Sequence, residues 1–600
     1  MKRPLLLLQA AVLAVLFTWP LVPRFGAEAI GRIDTDTPKH LWTLWWMRQE
    51  VWDGTPGLLT RWANWPDGMR LYPIEPLNGI FAALIPLDPV PLSNLLALVH
   101  VVLIGVCAGW LGFEVSGTRI GAHVASALAQ ACAFTAFTLD LGTGELRQAW
   151  WIPLGLAVLV RARRTEDRRW FVTLAVVLAG AVLACFYHGL FLAIAVAIWA
   201  LATLRVRRRL LTGYAMAAGL SLLVVVPIVR GFAGAYGGDD GAVTSGPGTS
   251  GPGTSGAGTS GAGTSGAGTS GAGGPAGFSV DRYTGASVSV EQLWTPAALP
   301  GVEGDARRRY DGGRYLGLVT LLLAGIGVAA APRRAGPWVA VFGVCLVLSL
   351  GPVLIVQQAP LRVGNVVFGL PLAGLNDALG RIGEPVNFPA RFLAPAMIAL
   401  AVLGALATRW RWAWVLVPLA VVDSVTNDET PWPRETTVLP DMAGLAAAAG
   451  PGAVADVGMV GNAEPTARTR SIAAQLLLGR PFASVPIERL SAWSASGDRW
   501  LRALPLVRAA NHLEGEATAP TEGNWRPDLW LLRDRGIDRV LLTHRTSGVD
   551  VRADTVLTPA LGEPVRTAQA TIWSVPAVEA TEAEGEAWRA AQAERVAGPR

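Results

Sequence analysis

Apolar runs of about 20 residues, the length a helix needs to cross a bilayer, recur through residues 1–425 between short polar turns. The first, Pro4 to Pro23, follows Met1-Lys2-Arg3 and invites comparison with a cleavable signal peptide. It is long for the apolar part of a signal and ends in Trp19-Pro20-Leu21-Val22-Pro23-Arg24 with no small-residue cleavage pattern, so it reads as a retained helix. Further spans fall near 92–113, 119–138, 149–161, 170–186, 188–204, 211–230, 314–331, 337–356, 392–408 and 411–425. Together these make roughly eleven and predict a mainly α, polytopic membrane helix bundle. The spans at 149–161 and 411–425 are short, and Trp150 and Trp412 are expected to sit in the membrane interface beside them.

The basic residues orient the bundle. With the spans so counted, Arg161, Arg163, Arg164, Arg168 and Arg169, then Arg205 and Arg207 to Arg209, then Arg333 and Arg334, then Arg409 and Arg411 fall on the side of Lys2 and Arg3. Short basic loops mark the cytoplasmic side, so the N-terminus is expected inside. The outer side then receives the loop 24–91, the turn Asp140 to Gln148, the loops 231–313 and 357–391, and everything after Val425. Pro76 to Leu87 is apolar but short and bounded by prolines. Counting it as a crossing would scatter the arginines, so it is expected to lie on the outer face or dip into it.

Two segments depart from the membrane pattern. Residues 241–277 contain near-identical pentads, from Gly246-Pro247-Gly248-Thr249-Ser250 to Gly266-Ala267-Gly268-Thr269-Ser270, and lack any side chain large enough to build a core. They are expected to form a disordered tether. Residues 426–600 alternate short apolar runs with turn residues. A helix within Leu439 to Gly450 and strands within Ala453 to Val460, Arg539 to His544 and Ala570 to Val575 predict a small extracytoplasmic α/β domain, with a charged, frayed tail after Glu579.

The composition agrees with this division. The chain is 52% hydrophobic and 16% charged, where a water-soluble protein carries about 25% charged residues. Its net charge of +5 is dispersed among the loops rather than gathered on one basic face, which argues against a nucleic-acid partner. Cys107, Cys132, Cys185 and Cys345 all fall inside apolar spans and give neither a disulfide framework nor a zinc site. The spacings of soluble-enzyme motifs, a His/Cys ligand set, a Gly-x-Ser-x-Gly elbow or a phosphate loop, are missing from the sequence.

Chemistry concentrates where the first helix leaves the membrane, at Arg32-Ile33-Asp34-Thr35-Asp36-Thr37-Pro38. If that segment is extended, Asp34 and Asp36 point to one side, which suits metal coordination or a shared general base. The alternative is that they start a helix, with Asp36 or Thr37 as N-cap and Pro38 at the first helical position. The residues leave both readings open; the capping task makes Asp34 the preferred base. In the helix Lys39 to Trp52, at 100° per residue, Leu41, Trp42, Trp45, Trp46 and Trp52 fall within roughly 140°. An indole face of this kind can lie along lipid headgroups or stack on sugar rings. His188, between two spans at an outer boundary, is a site candidate because an ionisable group in lipid needs a reason, although an interfacial anchor is the plainer reading. His40, on the polar side of the tryptophan helix, is a weaker candidate, and His100 and His123 read as packing residues.

In their order along the chain, these features resemble the GT-C superfamily of polytopic membrane glycosyltransferases: a first helix, an acidic outer loop, then a tryptophan-rich amphipathic helix. The closer likeness is to a bacterial branch in which the loop continues with a turn such as Trp65-Pro66-Asp67-Gly68. Further matches are Glu145 and Gln148 before Ile152-Pro153-Leu154, then Phe388-Pro389-Ala390-Arg391-Phe392, then Gln475 to Pro481 and Arg535 to Val540. The resemblance implies transfer of a sugar from a polyprenyl-phosphate carrier to an envelope glycan, lipid or protein acceptor on the outer face of the cytoplasmic membrane. It implies a catalytic or metal-binding role for Asp34 or Asp36, with a divalent cation such as Mg or Mn as the conceivable cofactor, and Glu145 as partner acid. Trp42, Trp45, Trp46, Arg147, His188 and Arg391 are then the expected substrate-binding residues, with Arg147 and Arg391 suited to phosphate; an exposed salt bridge between Glu145 and Arg147 is the competing reading. A Trp-Trp-Asp-type acceptor motif is missing from the outer domain, which argues against transfer to asparagine. A catalytically silent assembly protein of the same fold and a glycan transporter or flippase are the other classes. Transporters tend to place binding groups at mid-membrane on broken helices, whereas the polar groups here gather at the outer boundary.

Overall fold

The computed structural model describes residues 3–52, 59–71, 75–204, 207–236, 286–294, 313–357, 359–363, 366–380, 386, 388–410, 412–425, 432–439, 443–459, 465–484, 496–511, 523–544, 549–568 and 570–597. The repeat at 241–277 lies outside the described residues. The first half is helical: α1 (Arg3–Phe17), α2 (Thr37–Trp52), α3 (Pro76–Leu84), α4 (Pro89–Ser116), α5 (Arg119–Ala131), α6 (Ala133–Asp140), α7 (Gly144–Arg147), α8 (Trp151–Thr165), α9 (Arg168–Ala184), α10 (Phe186–Ala202) and α11 (Arg208–Tyr236). Helices Leu318–Ala330, Pro332–Ser349, Leu393–Ala407 and Leu416–Val425 complete the bundle. Among the described residues, Pro89–Ser116, Arg119–Asp140, Arg208–Arg230 and Pro389–Ala407 are long and apolar enough to cross a membrane. Pro4–Phe17, Phe186–Ala202, Leu318–Ala330 and Ala413–Val425 are apolar but shorter.

Leu393–Ala407 is the axis of the bundle. It is apolar on every side and all of its residues are buried, as expected of a helix surrounded by others. It packs on α4, α5, Leu318–Ala330 and Pro332–Ser349, whereas α11 leans on α9 and leaves Leu222 and Leu223 exposed. The stretch 119–138, expected as one span, is broken at Cys132, whose ψ of 147° separates α5 from α6. Thr135 Oγ1 donates to the Ala129 carbonyl at 3.1 Å, so the break does not leave that group bare in an apolar setting. α3 has nine residues, about 13 Å at 1.5 Å per residue, too short to cross.

Two chemically different ends result. At one, Arg164 Nη1 lies 2.9 Å from Glu114 Oε2, Arg207 Nη1 lies 2.7 Å from Glu166 Oε1, and Arg334 Nη1 donates to the Ser116 carbonyl at 3.3 Å. The arginine turns therefore share one end. At the other end the first loop, the head of α3, the α6–α7 turn, His188 and Arg391 converge.

Beyond Val425 the chain forms an α/β unit. Its sheet runs Val565–Arg566, Ala570–Ser574, Ile537–Thr543, Ala453–Asp456, with the last pair parallel and the others antiparallel. The short helix is Ala443–Ala448. The tail expected to fray is instead the helix Glu582–Ala597, held by Arg589 on Asp534 at 2.7 Å and by Trp588 edge-on to Trp530 with ring centroids 5.6 Å apart. One aromatic anchor in a charged stretch suffices to dock it.

This unit grips the first loop. Ala29–Ile30 pairs antiparallel with Thr436–Thr437, and Arg434 Nε donates to the Phe17 carbonyl at 3.1 Å. Trp65 Nε1 donates to the Arg535 carbonyl at 2.9 Å, while Arg535 Nη2 reaches Asp67 Oδ2 at 2.7 Å. The Trp-Pro-Asp-Gly turn and the segment starting at Arg535 are two halves of one joint.

Candidate active site

The site is built where the first loop crosses the α6–α7 turn. Gly31, at φ 108°, and Gly142, at φ 68°, allow the crossing: a Cβ on Gly31 would meet Gly142 Cα at 2.7 Å. Arg32 N–H donates to the Asp140 carbonyl at 3.1 Å and Thr35 Oγ1 to the Leu141 carbonyl at 3.0 Å. Arg147 Nη2 donates to the Ile30 carbonyl at 3.0 Å and its Nε to the Thr138 carbonyl at 3.3 Å. Burial pulls the Arg147 guanidinium down to about 10, which leaves it cationic at neutral pH. Arg147 thus spans the crossing as a clamp on carbonyl groups. Both Glu145 and Arg147 are buried, and the exposed loop salt bridge between them does not form among the described residues.

At the centre stands His40, in the first turns of α2. Its Nδ1 lies 2.8 Å from Glu75 Oε1, and its Nε2 lies 2.9 Å from Glu145 Oε2. Burial alone would lower the imidazole pKa, but Glu145 and Glu75 together push it up to about 9. Burial would likewise raise the Glu145 carboxyl; His40, Lys39 and Arg391 instead hold it well below the usual carboxylate range. Asn78 Nδ2 donates to Glu75 Oε2 at 2.7 Å, His100 Nε2 lies 3.1 Å from Asn78 Oδ1, and Trp150 Nε1 donates to His100 Nδ1 at 3.2 Å.

Arg391 enters from the start of the central helix. Its guanidinium carbon lies 4.6 Å from the Tyr187 ring centroid and 4.3 Å from that of Phe388, an aromatic sandwich that fixes the fork. Its Nη1 is buried without a hydrogen-bond partner among the described residues. His188 is fully buried, with Nε2 3.1 Å from the Leu146 carbonyl and Nδ1 without a partner among the described residues, so it is not a surface anchor. Unsatisfied buried polar atoms of this kind need a ligand, water or ion to justify them.

The two aspartates separate. Asp34 is bound on both oxygens by Arg32, at 3.1 Å and 2.6 Å, and Arg32 Nε also lies 3.5 Å from Glu435 Oε2. Asp36 sits one turn ahead of His40, with Lys39 Nζ 2.6 Å from its Oδ1 and the carboxylate about one-third exposed. Burial pushes the Asp36 carboxyl up, but Lys39 and His40 outweigh it and hold the group below its ordinary value. The helix-cap competition expected at Asp36 is not seen; its side chain turns to Lys39 instead. The pair also does not fit a divalent cation. Each carboxylate is already matched by its own cation, and no group of three His, Cys, Asp or Glu side chains among the described residues converges as ligands.

The indole face of α2 is not open to headgroups or sugars. Trp42 and Trp46 are each 1% exposed, stacked with centroids 5.7 Å apart. Trp42 Nε1 donates to Gln475 Oε1 at 2.9 Å and Trp46 Nε1 to Thr60 Oγ1 at 3.0 Å. Trp45 packs edge-on to Trp62 at 5.0 Å. The face that resembled a lipid belt is the seat of the C-terminal unit.

Sequence reasoning missed Glu75 and Asn78 and underweighted His40 and His100. The available signal was a carboxylate directly ahead of a short apolar helix, with an asparagine three residues on, in a segment whose composition gives no use for either. His40 lacked a spaced partner because both of its partners are distant in the chain.

No family model and no curated protein match the chain. Among solved structures it is similar to a mutant form of arabinofuranosyltransferase AftD from Mycobacteria, determined by single-particle cryo-EM, with a TM-score of 0.51 at 14% identity over 96% of this chain and 42% of that one. A second AftD structure gives a TM-score of 0.47 at 15% identity over 96% of this chain and 40% of that one. The chain spans less than half the length of AftD. The first likeness, at 14% identity, shows a shared fold alone.

Proposed function

We propose that this protein is a membrane glycosyltransferase that moves a sugar from a polyprenyl-phosphate-linked donor to an envelope acceptor, at the end of the bundle opposite the arginine turns. The observation that carries the reading is the placement of Asp36, a partly exposed carboxylate, beside a buried cluster that also holds the unsatisfied guanidinium of Arg391. Glu145 lies within electrostatic range of both.

Such a transfer needs a base for the acceptor hydroxyl and positive charge for the departing phosphate. Asp36 supplies the base, since Asp34 is committed to Arg32 on both oxygens. Arg391, held flat between Tyr187 and Phe388, supplies two parallel donors for a phosphate, and His188 Nδ1, an acceptor because Nε2 donates to the Leu146 carbonyl, can take a sugar hydroxyl. Lys39 keeps Asp36 ionised before acceptor arrives. The site faces outward from the cytoplasmic membrane, with the C-terminal unit roofing the first loop on the outer side. The trial is transfer from a radiolabelled polyprenyl-phosphate sugar by the full chain in lipid nanodiscs. Asp36→Asn should lose about 10²–10⁴-fold in rate, the usual loss on removing a positioned base, while Asp34→Asn should lose far less. Equal activity of wild type and Asp36→Asn would remove the base, and inactivity of wild type with every donor would favour the silent assembly reading.

A further inference from the structure

The hydrogen-bond chain that ends at His40 has a direction. An indole N–H can only donate, so Trp150 fixes Nδ1 of His100 as an acceptor, at 3.2 Å. His100 Nε2 therefore carries the proton and donates to Asn78 Oδ1 at 3.1 Å, which sets the Asn78 amide. Asn78 Nδ2 then donates to Glu75 Oε2 at 2.7 Å, leaving Glu75 as an acceptor on that oxygen. Its other oxygen faces His40 Nδ1 at 2.8 Å, and Glu145 faces Nε2 at 2.9 Å. Glu75 is hydrogen-bonded to Nδ1 and Glu145 stands within ion-pair distance of Nε2, a buried placement of two carboxylates that calls for a ring protonated on both nitrogens.

We propose that His40 is a positioning residue, a standing imidazolium that ties Glu145 of the α7 turn and Glu75 at the head of α3 to α2, and so sets the place and charge of the pocket beside Asp36. The groups facing the ring are Glu75 and Glu145 from the elements packed on α2, with Asp36 and Lys39 on its own strand of chain; Arg147 and Arg391 lie behind the carboxylates. The coupling to Asp36 is short, since His40 N–H donates to the Asp36 carbonyl at 3.1 Å. A neutral ring would leave one of the two carboxylates facing a bare ring nitrogen, and would loosen the tie of α7 or α3 to α2. The consequence for turnover rests on the glycosyl-transfer reading; the protonation state does not.

The test uses the full chain, ¹⁵N-labelled at histidine, in nanodiscs. At about pH 8, where an ordinary histidine of pKa about 6.5 is neutral, one imidazole should still show both nitrogens protonated. That signal should vanish in His40→Gln, and Glu75→Gln should move its titration down by about one pH unit or more, a tenfold change in proton affinity. The absence of any doubly protonated ring in folded wild type at about pH 8 overturns the proposal, and that spectrum decides even if His40→Gln does not fold. In the transfer assay, His40→Gln should lower kcat while leaving the donor KM within about twofold, and His40→Lys should recover part of the rate through its charge. A wild type without transfer activity that shows the imidazolium would refute the function and leave this inference standing.

Discussion

Raising the pH should destabilise this protein through a single ring. His40 goes from an ordinary 6.5 in the unfolded chain to about 9 when folded, so the folded state binds a proton that the unfolded state releases. A raised histidine pKa contributes its full stability below about 6.5 and loses it as the pH climbs through about 9. The difference of about 2.5 units, at about 1.4 kcal/mol per unit, gives at most about 3–4 kcal/mol. Glu145 works in the opposite direction, its depressed pKa giving stability that is lost only in acid, so the two windows do not overlap. Denaturant unfolding in mild detergent, followed by tryptophan fluorescence, would be run at intervals from about pH 6 to about pH 9.5 on wild type and His40→Gln. Wild type should lose stability across that interval by more than His40→Gln does, and the difference between the curves isolates the ring. Parallel curves would refute the assignment of an imidazolium at this position.

Two other expectations concern the membrane face. Arg391→Lys keeps a charge but not the flat fork stacked on Tyr187 and Phe388, so donor affinity should fall about tenfold or more; unchanged affinity would mean that a point charge suffices. Ala591→Cys, on the exposed face of the last helix, should react with an impermeant maleimide added outside intact cells, against a background of native cysteines that are buried or half-buried; reaction only from the cytoplasmic side would invert the topology.

The helical spans were legible because length and apolarity are local properties, and a helix stands at each one read from the chain. The interruption at Cys132 was not, because what supports it is a hydroxyl three residues on that bonds back to a carbonyl, a detail that hydropathy does not carry. The aspartate pair was found from spacing, but the partner of each member was not. Capping rules assign Asp36 to the helix, whereas the structure turns it to Lys39 and gives Asp34 to Arg32. The tryptophan face was visible as a face and misread as to what covers it. Amphipathicity reports that a surface is apolar, and only tertiary structure says whether lipid or protein lies against it. His40 and Glu75 escaped for the same reason, as their importance comes from meeting Glu145, far along the chain.

The joint between the first loop and the C-terminal unit carries a consequence for biosynthesis. Trp42 bonds to Gln475 across 433 positions and Trp65 to Arg535 across 470. Contacts of such sequence separation close late, because a long intervening chain must be ordered before they form. The ribosome has delivered every helix of the bundle before it delivers the residues that seat the indole face. Until those last residues have been made, the loop bearing Asp36 and His40 lacks its roof, and buried tryptophans stand open to water. A nascent or truncated chain would thus be a helix bundle without an organised pocket, completed only when the residues up to Arg535 have arrived.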